Sequence, residues 1–277
     1  MVSINRLPNQ KRAEVIRCIV EGNSIRSTVR ITGVAKNTIA RLLLEVGNLC
    51  ASYEDRELRN IKSKHIQCDE IWSFVYARQK NVTPEISEKH QAGDIWTWTA
   101  IDADTKLAVS WMLGGRDGIT AKHFIEDLAG RLASRVQLTT DGLKVYLNAV
   151  EDAFGADIDY AMLHKIYANT QEETRYSPAE CIGCERKRMM GNPDPDHIST
   201  SYVERSNLSM RMQMRRFTRL TNAFCKKMAN HGASVALYFM YYNWVRVHQT
   251  LRVTPAMEAG LTDHLWSIEE MLKNISN

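Results

Sequence analysis

The sequence has no run of apolar residues approaching the roughly 18 that cross a bilayer, and no apolar stretch follows a basic start. Neither a membrane span nor a secretory leader is expected, and the chain reads as soluble and cytoplasmic. Cysteine is sparse: of six, only Cys181 and Cys184 lie close together, which argues against a disulfide scaffold and for a reducing compartment. The Cys181-x-x-Cys184 pair is half of a zinc site, but no second such pair and no closely spaced histidine pair completes it. His164, His197 or Cys225 would have to be recruited by folding. A reduced pair in an irregular loop is the expectation, with zinc left open.

Charge is present but unevenly spread. Residues 1–65 hold 12 Lys+Arg against 6 Asp+Glu, a net of +6, which leaves −2 for the other residues of a chain whose total is +4. A second basic cluster runs from Glu204 to Lys227, with Arg205, Arg211, Arg215, Arg216, Arg219, Lys226 and Lys227. Two basic patches on an otherwise balanced chain point to a polyanion, most simply nucleic acid. Solvated helix faces are the plainer alternative.

The stretch over residues 65–75 lacks Gly and Pro and is rich in β-branched and aromatic residues, as a buried strand is. Asp69 sits in its middle, and an unpaired charge there is costly. Its partner is a distant cation or a metal ion, unless the residue stands solvated at the strand end. Residues 78–93 read as a hairpin excursion, and further strands are expected over 94–101, 107–113, 136–140 and 158–166. The acids of the Asp102 to Lys106 turn are read as turn formers. Helices are expected over 120–133 and 143–154. Asp141 then falls at the carboxyl end of a strand, where ligands of open α/β sheets gather, although turn acids also occur there. The expected fold is α/β: a mixed five-stranded sheet flanked by helices, with an irregular segment over 168–200.

Before the sheet, a helical stripe over Lys11 to Glu21 ends at Gly22. Ser24 can cap a second short helix, Gly33 makes a turn, and a third helix carries Ile39, Leu42, Leu43 and Val46 before stopping at Gly47. This is the pattern of a helix-turn-helix, with Lys36, Asn37, Thr38 and Arg41 facing outward to read or hold DNA. A ligand-free three-helix module is the alternative. Residues 1–50 are accordingly assigned to a DNA-binding domain, 51–64 to a charged linker, and 65–277 to a second domain ending in helices.

Ser201-x-x-Glu204 opens another helix in a capping-box pattern, in which Glu204 would bond back to the Ser201 amide. On a helical wheel Val203, Met210, Met214 and Phe217 share the buried face, and Glu204, Arg211 and Arg215 lie along its rim. Packed against the sheet edge, such a helix could bring Glu204 to Asp69 and Asp141. Three converging carboxylates need a cation, and hard oxygen ligands suit Mg²⁺ or Mn²⁺.

Three motifs in this order resemble the DDE-type insertion-sequence transposases, whose catalytic fold is ribonuclease-H-like and shared with retroviral integrases. They are Asp69-Glu70-x-Trp72, Thr140-Asp141-Gly142 with Tyr146, and Glu204-Arg205-x-Asn207-Leu208-x-x-Arg211 with Arg215. The segment Asn243-x-x-Arg246-x-His248-x-x-Leu251 with Thr254-Pro255 is similar to the closing segment of many such enzymes. Gly33-Val34-x-x-Asn37-Thr38-Ile39 is similar to the helix-turn-helix of transposases from the smallest insertion sequences. The resemblance implies two-metal phosphoryl transfer on double-stranded DNA, at element terminal inverted repeats and in target DNA. It assigns Asp69, Asp141 and Glu204 as catalytic metal ligands, and Asn207, Arg211 and Arg215 as contacts to the phosphate backbone. It also implies a homo-oligomer in the synaptic complex and a nucleoid-associated protein. Relatives often carry a cysteine-rich zinc module before the helix-turn-helix; its lack here suggests weaker or differently organised recognition of the ends. A helix-turn-helix regulator, a domesticated transposase without catalysis, and a nuclease acting on RNA are the other readings.

Overall fold

The computed structural model describes residues 7–167, 181–218 and 223–276. Three helices, α1 (Asn9–Val20), α2 (Ile25–Thr32) and α3 (Lys36–Glu57), precede the strand β1 (His65–Val75). The short helix α4 (Pro84–Lys89) lies in the excursion to β2 (Gly93–Asp102), which turns into β3 (Ala108–Gly114). Then come α5 (Gly118–Ala129), β4 (Gln137–Asp141), α6 (Val145–Phe154), β5 (Asp159–Tyr167) and β6 (Cys181–Met190). The chain closes with α7 (Ser201–Gln213), α8 (Met228–Met240), α9 (Pro255–Glu258) and α10 (Ile268–Asn274).

Among the described residues the sheet has six strands in the order β3-β2-β1-β4-β5-β6, one more than expected. β1, β2 and β3 form an antiparallel meander, β4 and β5 run parallel to β1, and β6 returns antiparallel on the outside. The architecture is α/β, a mixed sheet flanked by helices, and is compatible with a ribonuclease-H-like fold. The extra strand carries Glu185, Arg186, Lys187 and Arg188 and is almost wholly exposed, so no buried alternation marks it. The turn acid behaves as read: Asp102 Oδ1 accepts from the Asp104 amide at 2.8 Å.

Alternation along β1 gives each face its cover. On one side Trp98 of β2 packs against Phe124 of α5 and Tyr146 of α6. On the other, Ile71 and Ile101 meet Val203 and Met210 of α7 and Phe239 of α8. A π-helical turn over Tyr241–Val245 prolongs α8 and holds Asn243, whose side chain bonds both the amide and the carbonyl of Ala108 at 3.0 Å. Asn243 therefore acts as one residue of a missing neighbour strand for the edge strand β3.

The helix α3 does not stop at Gly47 but runs on to Glu57, so the expected boundary at residue 50 lies inside a helix, and the first part of the expected linker is helical. Gly47 is there for packing: a Cβ at that position would stand 2.1 Å from the Ala233 carbonyl of α8. The two helices approach so closely that glycine is required, and Ile39, Leu43 and Val46 join the same continuous core as Trp98 and Ile66.

Candidate functional site

β1 and β4 pair in parallel from His65–Gln137 to Cys68–Thr140 and then part. The next residue on each strand is an acid, Asp69 and Asp141, so the register itself sets two carboxylates side by side at adjoining strand ends. Glu70 lies opposite Trp98 and starts on the other face from Asp69, yet one of its carboxylate oxygens comes close to both aspartates. Ligand oxygens of Asp69, Glu70 and Asp141 all lie within 4.8 Å of one another. No other group of three such residues forms among the described residues.

The crowding is visible in the electrostatics. Burial, reinforced by the charge of Asp141, pushes the Asp69 carboxyl up to about 6, against hydrogen bonds from the Glu70 amide and Asn207. Burial and Asp141 likewise push Glu70 up to about 7, although the Tyr146 hydroxyl donates to it. Arg116, between β3 and α5, supplies the counter-charge: Nε lies 3.2 Å from Glu70 and Nη2 lies 3.4 Å from Asp141. The other Asp141 oxygen accepts from the Leu143 amide at 2.9 Å, so this residue is a turn acid as well. Three hard oxygen donors, two of them held neutral more readily than in water, are a donor set that Mg²⁺ or Mn²⁺ fits.

Glu204 does not join that group, contrary to expectation. Nor does it cap its own helix, because α7 begins with Thr200 as its cap residue. The amides of Tyr202 and Val203 donate instead to Gln67 Oε1 of β1, at 2.8 and 3.2 Å. This single side chain docks the helix start onto the sheet. One Glu204 oxygen accepts from Thr200 Oγ1 at 2.6 Å, and the other meets the Lys165 ammonium of β5. Glu204 thus stands beside the acidic group with its charge met from β5, yet near enough that it raises the Asp69 pKa further.

Asn207, expected on the phosphate backbone, is instead 3% exposed, and its Nδ2 donates to Asp69 Oδ2 at 2.9 Å. Arg211 is half-buried and Arg215 exposed; Arg219 lies outside the described residues. Sequence reasoning missed Glu70 as a member of the group, and also Arg116, Lys165 and Gln67. For Glu70 the signal was available, since a second acid in a buried strand carries the same desolvation cost as the first. The other three come from segments whose approach only the fold reveals.

At the start of the chain stand three helices, α1 to α3, with a glycine turn between the second and third. Ser24 Oγ accepts from the Ser27 amide at 3.0 Å, capping α2, and Gly33 takes φ 70°, which frees the turn into α3. Lys36, Asn37 and Arg41 are exposed and Thr38 is half-buried, while Ile39, Leu42 and Leu43 are buried beneath them. Cys181 and Cys184 lie on the exposed strand β6, not in a loop, and among the described residues no histidine or acid joins them in a metal-binding group.

No family model and no curated protein matches this chain. Among solved structures, a cryo-EM structure of a piggyBac transposase synaptic complex with hairpin DNA aligns over 99% of this chain and 72% of that one, with TM-score 0.40 and 9% identity. No described helix is long and apolar enough to cross a membrane.

Proposed function

We propose that this protein is a DDE-type transposase, with a ribonuclease-H-like catalytic part, that cuts and joins DNA at the ends of a mobile element. The observation that carries the reading is the parting of β1 from β4, which leaves Asp69 and Asp141 at adjoining strand ends with Glu70 closing the group. Asp69, Asp141 and Glu204 are the proposed catalytic acids, and Glu70 is added as a further ligand candidate. Mg²⁺ or Mn²⁺ held there supplies Lewis-acid stabilisation of a transferring phosphoryl group and activates a water or a DNA 3′-hydroxyl.

The chain's own residues then have separate tasks. Asn207 orients Asp69. Lys165 holds Glu204 beside the group through their ion pair, and releases it when the acid is needed there. Arg116 pairs with Glu70 and Asp141, and a divalent ion bound there would supply the same counter-charge. Arg211 and Arg215 approach the phosphate backbone, and Lys36, Asn37, Thr38 and Arg41 read the terminal repeats from the major groove. Partners are double-stranded DNA and further copies of the chain in a synaptic complex, in the cytoplasm at the nucleoid.

Nicking of supercoiled plasmid in the presence and absence of Mg²⁺ tests the reading. The parent is expected to nick with metal, and Asp141→Asn to bind terminal DNA in a gel shift without nicking. A parent that binds specifically and never cuts is a helix-turn-helix regulator, and the catalytic assignment falls.

A further inference from the structure

Beyond the acidic group β1 and β2 continue without β4, accompanied by β3 only as far as Trp96, and one face of them carries a row of rings. By register Trp72 lies opposite Trp96 and Phe74 opposite Asp94, on the side of the strand from which Glu70 starts. Trp72 and Phe74 are half-buried, with ring centroids 5.8 Å apart. Phe224 extends the row, its ring 5.1 Å from Phe74, because Cys225 bridges to Val75 at the end of β1. At the inner end Arg116, which bonds both Glu70 and Asp141, lies over Trp96 at 4.8 Å. The row therefore starts at the acids and ends at Phe224, next in sequence to Cys225 and the exposed Lys226 and Lys227.

What covers the outer rings is a cation rather than apolar core. The exposed Arg78 guanidinium stands 5.6 Å from the Trp72 ring and 5.8 Å from the Phe74 ring. A guanidinium over a half-buried π face is held weakly and gives way to a better stacking partner. Asp94, the acid opposite Phe74, accepts from the Gln79 amide at 3.0 Å. Accessible rings interleaved with Arg and Lys complement a chain of flat bases and phosphates. Bases inside a duplex are already stacked and cannot use the rings, so the fitting occupant is a single strand.

We propose that Trp72, Phe74 and Phe224 form a stacking platform for unpaired nucleotides of one DNA strand leaving the acidic group, with Arg78, Lys226 and Lys227 on its phosphates. The inference rests on the DNA-cutting reading and names the substrate form at that site: a strand unpaired beside the scissile phosphate. When a base takes the ring face, Arg78 is released to a phosphate.

The test is equilibrium binding of the full chain to a fluorescent oligothymidylate and to a random-sequence duplex, in EDTA so that nothing is cut. The parent is expected to bind the oligothymidylate, and Trp72→Leu with Phe74→Leu to weaken it by at least tenfold while duplex affinity and melting temperature stay as in the parent. Arg78→Ala should lower the salt slope of oligothymidylate binding by about one. Equal binding by the parent and the double variant overturns the proposal. Should the double variant melt early, ultraviolet crosslinking of 5-iodouracil DNA to the unaltered parent decides: adducts on the peptide holding Trp72 and Phe74 support it, and adducts only elsewhere overturn it. Plasmid nicking by the same preparation keeps the two readings apart. A parent that nicks but does not hold oligothymidylate loses the platform alone, whereas one that holds it through these rings and never nicks keeps the platform and loses the transposase reading.

Discussion

Asn207 Nδ2 donates to Asp69 Oδ2 at 2.9 Å, and Glu204 sits one helical turn before Asn207, so a single buried amide ties the helix of the third acid to the strand of the first. That bond favours the charged carboxylate and opposes the burial that raises it. In Asn207→Ala the Asp69 pKa should rise above its value of about 6. A hydrogen bond to a charged group is worth about 1.5–3 kcal/mol, which is about one to two pH units. The acidic limb of the pH profile for metal-dependent nicking should move up by that much. A variant with the parent's profile would show that Asn207 does not set the state of Asp69.

Metal should be read out by stability as well as by cutting. The folded chain holds protons on Asp69 and Glu70 up to about 6 and 7, where an unfolded chain has lost them nearer 4. The folded state thus binds more protons across that window, so stability of the metal-free chain falls as pH rises through it and levels off above. A divalent ion relieves the same repulsion but competes with protons for the oxygens. Mg²⁺ or Mn²⁺ should therefore raise the melting temperature more at pH 8 than at pH 5.5. Asp141→Asn should melt higher than the parent without metal and gain little from it. An equal increment in parent and variant would place the ion elsewhere.

Glu70 and Glu204 compete for the role of third acid, and the structure separates them by their partners. Glu70 lies in the acidic group, whereas Glu204 is held by Lys165 and Thr200. Glu204→Gln is expected to keep the metal-induced rise in melting temperature while nicking falls at least about a hundredfold, a loss typical of a group needed in the chemical step. Glu70→Gln is expected to lower the metal response itself. Were Glu204→Gln to abolish the melting response and Glu70→Gln to leave it intact, Glu204 would be the resident ligand and its bond to Lys165 a resting contact.

Most of the sheet was legible because its strands carry local signals: an apolar run without Gly or Pro at 65–75, β-branched and aromatic residues at 94–101, an acid at the end of a short buried strand at 141. The outer strand was not, since β6 is exposed along nearly its whole length and its charges read as loop. Of the site, Asp69 and Asp141 were legible from strand position alone. Glu70 was masked by its neighbour, because strict alternation sends it to the opposite face from Asp69. The partnership of Glu204 with Lys165 depends on β5 lying next to β4, a matter of topology that no spacing encodes.

Gly47 illustrates how one residue type carries two meanings. In sequence it looks like a helix stop; in the structure it is the contact at which α3 crosses α8. Alanine in an exposed helix interior is more favourable than glycine by about 0.8–1.0 kcal/mol. Here the added methyl meets the Ala233 backbone at 2.1 Å, and backbone cannot rotate away. Gly47→Ala should destabilise the chain by about 1–3 kcal/mol, the cost of overpacking. A urea midpoint at or above the parent's would mean that the helices are farther apart than described.

Glu54, at the far end of α3, tests the same packing by titration. It is 3% exposed, its Oε2 accepts from Trp111 Nε1 at 3.0 Å, and its Oε1 has no hydrogen-bond partner among the described residues. Burial outweighs both Trp111 and the nearby Arg131 and pushes its carboxyl from 4.5 to about 8. Below the unfolded value both states are protonated and Glu54 has no effect on the pH dependence. As pH rises from there, the unfolded chain ionises first, so stability is lost progressively until the folded carboxyl ionises at about 8, and then levels off. The total is on the order of a few kcal/mol. Asp69 and Glu70 add a fall of the same sign, and Glu70's runs on through about 7, so the Glu54 share is read as the difference between the parent and a Glu54 variant at each pH. Glu54→Gln cannot ionise and still offers Trp111 an acceptor. Its urea midpoint should match the parent's closely near pH 4 and exceed it at pH 8, with a shallower decline between 7 and 8 than the parent's. A parent that declines no more steeply there than the variant would mean that Glu54 is ionised in the fold, with Arg131 meeting its charge.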